Sequence, residues 1–458
     1  MGRGSVRGRE FAGEVPVPTM PGTCATQSKG RGAQMAVEDE REFMHNVDDA
    51  VGGDLVKAGL ARGIDVEAVA DGVLFVRVEY VNMVVFETTD GLVLVDSGSR
   101  DQAERVHEAV RAVTAAPVHT VVLTHGHQDH SFGLGPWLDE ADHRPRIIAH
   151  RRTPERYRRY MKTQGYNEHL NRVQFGVTGA TNWPAAHDDF FWPDTLYEDR
   201  LTIRVGDEVF HLRHGKGHTD DATYVWVPSR RIVCSGDFWE GMMPDCGSPQ
   251  RTQRYAEGWA DAAEEIAGLG ADLLLPGHGE PIEGADTIEG CLLDIVEFLR
   301  SIVAQTLDGL NRGLTHEAIV ASVVIPPHLA DRPYLQPVYD RPEFIARNIV
   351  RMYGGWWDGH PANLMPAPAG DRARAIVELA GGTDSIVARA RELAATDLPL
   401  ACHLAEWAML ADPTSVAANE CARDVFRLRQ GQESSLHVRA ICGHAIRTAE
   451  AALAASAS

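Results

Sequence analysis

Residues 124–130 read Thr-His-Gly-His-Gln-Asp-His. Three imidazoles and one carboxylate fall within six positions, at His125, His127, Asp129 and His130. Neutral imidazole nitrogen and carboxylate oxygen are the donors that a borderline-soft divalent ion such as zinc takes. Crowding them onto one short segment gives more ligands than a single ion needs. Alternate residues of an extended turn point to opposite sides, so His125 and His127 can serve one metal while Asp129 and His130 serve a neighbour. The stretch by itself points to a two-metal site. Just upstream, Val118–Thr124 (Val-His-Thr-Val-Val-Leu-Thr) reads as a short buried strand. A strand ending in a ligand-bearing loop is where α/β folds place their chemistry.

Further donors follow in the same setting. His218 comes after the strand-like run Glu208–Arg213, Asp237 after Arg231–Cys234, and His278 after Asp272–Leu275. Each sits just past a β-rich run and next to a Gly that lets the backbone turn. A single His after a strand is more often a satisfied structural residue. The same placement, repeated along the chain, points to one shared site.

Taken together, His-x-His-x-Asp-His, Gly-His-Thr at Gly217–Thr219, Gly-Asp at Gly236–Asp237 and Gly-His-Gly at Gly277–Gly279 resemble the metallo-β-lactamase superfamily. Gly91–Gly98 resembles that superfamily's strand ending in a structural Asp, here Asp96. The resemblance spans roughly residues 65 to 290. It implies an αββα sandwich, with two mixed sheets, helices outside and two Zn2+ ions at one edge. His125, His127 and His218 would hold the first metal. Asp129, His130 and His278 would hold the second, and Asp237 would bridge them. Such a pair can share a water and lower its pKa from about 15.7 toward about 7. Asp129 would orient the resulting hydroxide or receive its proton. This suits hydrolysis of an ester, thioester, lactone, sulfate ester or phosphate ester, and the metal centre alone does not choose among them. An iron-dependent oxidoreductase of the same fold is the alternative from another class. The flavin-linked di-iron branch resembles His-x-Glu-x-Asp-His, whereas this chain has His127 at the third position. Persulfide dioxygenases share the spelling but are much shorter. A non-catalytic interaction protein with a relict site is disfavoured, because no ligand position is lost.

From about residue 292 the chain changes character. Leu292–Arg312 has apolar residues at three- and four-residue spacing, which predicts an amphipathic helix stopped by Gly313. Thr315 reads as the N-cap of a second helix that Pro326-Pro327 would end. Ala-rich stretches at Asp371–Ala380, Asp384–Ala395, Leu398–Leu410 and Thr414–Arg429, and a last one to Ala455, predict an all-helical domain of stacked hairpins. Tyr353–Leu364 (Tyr-Gly-Gly-Trp-Trp-Asp-Gly-His-Pro-Ala-Asn-Leu), followed by Glu378–Gly382, resembles the dimerisation domain of the alkyl sulfatases. Gln305–Leu329 and Val338-Tyr339 fit the same pattern. The resemblance implies a zinc-dependent hydrolase of alkyl sulfate esters that is a homodimer through its helical domain. The expected division is an N-terminal disordered extension (1–35), a catalytic domain (36–290) and a helical dimerisation domain (291–458).

Three features depart from the alkyl sulfatase pattern. That branch usually carries acidic residues where this chain has Gly-His-Thr and Gly-Asp. Its Asn- and Arg-bearing segment after the bridging ligand, which would grip the sulfate, has no match, and Phe238–Pro244 follows Asp237 instead. Many relatives also continue into a sterol-carrier-like domain beyond the equivalent of Ser458. Arg251 and Arg254 are the nearest cations, and the plain expectation for them is a surface helix. Trp183-Pro184, Phe190–Pro193 and Phe238–Met243 flank the ligand segments. They suit either an apolar mouth for an alkyl chain or ordinary core.

The 458 residues, 44% hydrophobic, are enough for two domains. A formal net charge of −21 disfavours nucleic acid and anionic membranes as partners and leaves a small-molecule ester as the expected one. It also repels anionic substrates at long range, so capture has to rely on the metals and local Arg. No run approaches ~18 apolar residues, so no spanning helix is expected. Met1–Gly32 is rich in Gly, Arg and Ser and lacks a signal-peptide apolar stretch. It reads as disordered, with Met20 or Met35 as alternative starts. The seven Cys are scattered without Cys-x-x-Cys pairs, which suggests reduced thiols in the cytoplasm.

Overall fold

The computed structural model describes residues 63–140, 144–174 and 183–457. The extension expected at residues 1–35 lies outside them. Two sheets form the N-terminal part. The first holds seven strands in sequence order: β1 (Ile64–Ala70), β2 (Val73–Val78), β3 (Val81–Thr88), β4 (Gly91–Val95), β5 (Val118–Val122), β6 (Arg146–His150) and β7 (Thr195–Tyr197). Strands β1 to β4 pair antiparallel and β4 to β7 parallel, with α1 (Ala103–Arg111) crossing between β4 and β5. Short helices α2 (Gln128–Ser131) and α3 (Gly135–Asp139) follow β5, and α4 (Thr153–Lys162) and α5 (Gln164–Gln174) follow β6. The second sheet has the order β13-β12-β11-β10-β9-β8. Its strands are β8 (Arg200–Val205), β9 (Glu208–His214), β10 (Thr223–Val227), β11 (Ile232–Gly236), β12 (Leu273–Pro276) and β13 (Ile282–Glu283), with α6 (Ala256–Ala267) between β11 and β12. Only β11 and β12 run parallel in it.

Period-two alternation builds the sandwich. Val73 and Phe75 of β2 point to the inter-sheet core, where they join Phe86, Phe210, Leu212, Val225 and Cys234. Their neighbours Leu74 and Val76 point outward to a second core with Val106 and Val110 of α1 and Trp137 of α3. Strands buried on both faces read as near-continuous apolar runs, as Val73–Val78 does. The outer face of the second sheet is covered by helices, and Tyr224, Trp226, Val233 and Leu274 pack there with Trp259 of α6. The αββα layering expected from the sequence is present.

The helices beyond are α7 (Ala285–Asn311), α8 (His316–Ser322), α9 (Pro342–Tyr353), α10 (Ala369–Leu379), α11 (Thr383–Leu393), α12 (Leu398–Ala411), α13 (Val416–Gln432) and α14 (Leu436–Ala457). Helix α7 starts seven residues before Leu292 and ends ahead of Gly313, whose φ of 70° only Gly adopts freely. Its Ile295, Phe298, Leu299 and Ile302 share the core of the second sheet, so the expected division at residue 290 falls inside one helix. Thr315 caps α8, accepting from the Ala318 amide at 3.3 Å. Helix α8 ends at Ser322, ahead of the proline pair. Helices α10 to α14 enclose an Ala-rich core of their own. Among the described residues, no helix is long and apolar enough to cross a membrane. Cys234, Cys246, Cys291, Cys402, Cys421 and Cys442 are free thiols.

Candidate metal centre

The seven residues singled out from the sequence converge at one edge of the sandwich. They form two groups, His125, His127, His218 and Asp237, and Asp129, His130 and His278. The segment after β5 carries four of them, His125 and His127 on the loop and Asp129 and His130 on α2. The turn after β9 carries His218, and the ends of β11 and β12 deliver Asp237 and His278. The buried Asp237 carboxylate stands between the groups. Its Oδ2 lies 3.3 Å from His125 Nε2 and 3.4 Å from His218 Nε2. Its Oδ1 lies 3.3 Å from His130 Nε2 and 3.6 Å from His278 Nε2. Asp129 Oδ2 is 3.7 Å from both His130 Nε2 and His278 Nε2 and is the more exposed carboxylate. Gly277 is required by this closeness, since a Cβ there would lie 2.4 Å from Asp237 Oδ1.

The surrounding bonds set which nitrogen faces the centre. His130 Nδ1 meets Asp96 Oδ2 at 2.8 Å, and His278 Nδ1 meets the Tyr80 carbonyl at 2.7 Å. Both acceptors take the Nδ1 proton, so the neutral form of each ring offers Nε2 as its lone-pair donor. The two Nε2 atoms face each other at 3.2 Å. His127 Nδ1 and His218 Nε2 are 3.1 Å apart. Both oxygens of Asp237 and Nε2 of His125 are buried without a hydrogen-bond partner. Facing lone pairs and unpartnered buried carboxylate oxygens are costly unless a cation lies between them. The donors therefore fit two metal ions.

Electrostatics agree. Burial opposes charge at His130, yet Asp237, Asp129 and Asp96 outweigh it and push its pKa up to about 9. The same contest, with Asp237 and Asp129 dominant, raises His278 to about 10. The second group is thus a place where carboxylates favour positive charge. Burial brings His125 down to about 4, and burial with its His neighbours takes His127 well below its ordinary value. Those imidazoles are neutral and able to coordinate at neutral pH.

Asp96 sits at φ 66°, a strained conformation for a non-Gly residue, and its position repays that strain. It takes the Thr124 amide at 2.7 Å, the Thr124 hydroxyl at 2.8 Å and His130. Asp221 takes the Gly126 amide at 3.0 Å, between His125 and His127, together with Thr153 and Arg156.

His218 is held differently. Glu240 Oε1 is 3.1 Å from its Nδ1, while Arg254 Nη1 lies 2.6 Å from the same nitrogen and 3.0 Å from the His218 carbonyl. A guanidinium only donates, so a bond from Arg254 to Nδ1 would put the ring proton on Nε2, toward the centre. The tautomer that frees Nε2 for a metal is the one donating Nδ1–H to Glu240, with Arg254 on the carbonyl. Burial, with Asp237 and Asp245 near, pushes the Glu240 carboxyl well up, so it depends on positive charge at the centre to stay ionised. Glu240→Gln is accordingly expected to weaken metal binding about 10- to 100-fold, measured by competition with a chelating dye. An unchanged affinity would remove Glu240 from the centre.

Sequence reasoning missed Asp221, Arg156 and Glu240. It also misplaced Arg254: the residue lies on the loop before α6, only 4% exposed, and Arg251 lies on the same loop rather than on a surface helix. Of the flanking aromatics, Phe238, Trp239 and Met243 are core beneath α6 and α7. Trp183 and Phe190 form a separate buried cluster with Phe132, Tyr157 and Tyr160, next to α2.

Comparison with known proteins places this geometry. Residues 76–278 match the metallo-beta-lactamase superfamily, and residues 315–450 match the alkyl sulfatase dimerisation family. A linear primary-alkylsulfatase of Pseudomonas sp. (strain ATCC 19151) is 27% identical over 368 residues, covering 75% of this chain and 69% of that protein. An alkyl/aryl-sulfatase of Saccharomyces cerevisiae is 26% identical over 385 residues, covering 78% of this chain and 59% of that protein. The solved structure of a stereoselective inverting sec-alkylsulfatase from Pseudomonas sp. has the same fold, with a TM-score of 0.77, 22% identity and coverage of 89% of this chain and 70% of that one. A metallo-beta-lactamase type 2 of Bacillus cereus is 27% identical over 204 residues, covering 43% of this chain and 67% of that protein. The chain joins a metallo-beta-lactamase superfamily domain to an alkyl sulfatase dimerisation domain.

Proposed function

We propose that the protein is a binuclear zinc-dependent hydrolase of alkyl sulfate esters. One observation carries the reading: two donor groups share the opposite oxygens of a single buried, otherwise unpartnered carboxylate, Asp237. The substrate class rests on the relatives, which are named alkylsulfatases. Bound at these donors, two zinc ions would supply hydroxide at neutral pH and stabilise negative charge on the leaving oxygen. His125, His127 and His218 would hold one ion, Asp129, His130 and His278 the other, and Asp237 would keep the pair close. Asp129, the accessible carboxylate of the centre, would orient the attacking oxygen and hold its proton. Catalysis is assigned to residues 36–290 and dimerisation to 291–458.

The test is sulfate release from a medium-chain alkyl sulfate by zinc-loaded protein, with His127→Ala as control. Release that vanishes in the variant supports sulfatase action at this centre. Turnover of a nitrophenyl ester or acyl thioester without sulfate release would favour the second reading, a hydrolase of another ester, thioester or lactone. His218, standing where the resemblance to the alkyl sulfatases implies an acidic residue, is the observation behind that reading. Iron in the purified protein together with oxygen uptake would overturn both.

The same proposal makes the protein a homodimer. Trp356 is 75% exposed, Met365 91% and Leu379 90%, all within the segment that matches the dimerisation family. Large apolar side chains exposed together in this way are typical of a surface buried in an assembly, with the Trp as its anchor. Trp356→Glu is expected to weaken the dimer by at least ~2 kcal/mol per anchor removed, seen as a shift to monomer in sedimentation equilibrium. An undisturbed dimer would move the interface elsewhere.

A further inference from the structure

A cavity of about 500 Å³ lies between α9, α14 and the loop Gly247–Pro249. None of the metal-centre residues lines it. Its walls separate by chemistry. Arg347 and Arg351 from α9 and Arg429 from α13 supply guanidinium groups, while Phe344, Val438 and Ile441 supply an apolar floor. Three cations around one cavity stand out in a chain of net charge −21.

These charges are only partly compensated. Arg351 donates to neutral acceptors, at 3.1 Å to Gln253 Oε1, 3.0 Å to the Arg251 carbonyl and 2.9 Å to Asn348 Oδ1. Arg429 pairs with Glu433, but Arg341 takes the other oxygen of that carboxylate at 2.6 Å. Glu343 is also taken up by Arg341. Arg347 has no ion pair among the described residues. The cavity's shape is held by the fold: a Cβ on Gly247 would lie 2.2 Å from the Phe344 carbonyl carbon, so the loop is seated directly on α9. Asn348, also in the wall, donates to the Arg254 carbonyl at 2.9 Å.

We propose that this cavity is a second ligand site, for a single-headed anionic amphiphile whose head rests on the Arg347 and Arg351 guanidinium groups and whose short tail lies on Phe344, Val438 and Ile441. Planar guanidinium forks match carboxylate and sulfate-type oxygens, and the volume is that of an ordinary small-molecule pocket. Two sources offer this chemistry, sulfate-headed and carboxylate-headed alkyl chains.

The test is calorimetric titration of full-length, zinc-loaded protein with octane-1-sulfonate and, separately, octanoate, neither of which is a hydrolysable ester. One saturable site per chain is expected to survive in Asp237→Ala, which disables the metal centre. In Arg347→Glu, an exposed position, its affinity falls at least tenfold. Ile441→Glu, which sets a like charge against the head from the apolar side, gives a second loss of similar size. Inorganic sulfate and 1-octanol alone do not saturate it. Tighter sulfonate binding identifies a sulfate-headed source and tighter octanoate a carboxylate-headed one. The proposal fails if binding disappears with Asp237→Ala, or if the isotherm is the same in wild type, Arg347→Glu and Ile441→Glu.

Discussion

Asp237→Ala is expected to end pairwise metal binding and to lower kcat/KM for sulfate release by at least ~10³-fold, since metal ions contribute several kcal/mol of charge stabilisation to such reactions. The reason is positional. Asp237 Oδ2 serves the His125 side and Oδ1 the His130 side, and among the described residues no other carboxylate is seen to reach both. Without it, two dications would face each other with only neutral imidazoles on one side, and their repulsion would expel one. Asp237→Asn should fail nearly as badly, because the amide keeps the shape but not the charge. Metal content by mass spectrometry, read beside turnover at saturating zinc, separates the two effects. Two metals per chain in Asp237→Ala, with turnover near wild type, would end the bridging assignment.

The clustering of these seven residues was legible because each segment that carries them follows a β-rich run and contains a Gly, a local signal. The sandwich was legible for a related reason: strands such as Val73–Val78, apolar on both faces, demand cover on both sides. What sequence alone missed lies in pairings between distant segments. Asp221 meets Gly126 and Arg156 across 95 and 65 residues, and nothing near Asp221 announces either. Arg254 reads as solvent-facing because an amphipathic helix begins two residues later. Its burial comes from His218, Asp245 and Asn348, all brought from elsewhere. The early start of α7 was hidden by Gly290 and by polar residues in its first turns, where Ile288 alone is buried.

Those distant pairings carry the second large effect. Asp221 is wholly buried and Arg156 is 3% exposed, and the two meet at 2.9 Å. Burial alone would raise the Asp221 carboxyl. Arg156, His125 and the hydroxyls of Thr219 and Thr153 outweigh it and hold the pKa far below the usual aspartate range. Asp221→Ala takes the fully buried partner from Arg156, which keeps only the part-exposed Asp220 at 2.6 Å, and leaves the Gly126 amide without its acceptor. Breaking one side of such a pair costs about 3–5 kcal/mol. Against a total stability of roughly 5–15 kcal/mol, that lowers Tm by on the order of 10 °C. The measurement is thermal unfolding of metal-free protein, so that lost metal binding does not add to the shift. Removing both charges in Asp221→Ala/Arg156→Met should recover part of the loss, because no unpaired charge remains. The pH dependence has a fixed sign. A carboxylate with a depressed pKa contributes stability above its unfolded value of about 3.9, and that stability is lost only as pH falls through the folded value. The gap between wild type and Asp221→Ala should therefore stay constant from neutral pH down to about 4 and close only in stronger acid. A gap that closes near pH 6 instead would mean a histidine, not Asp221, sets the stability of this loop.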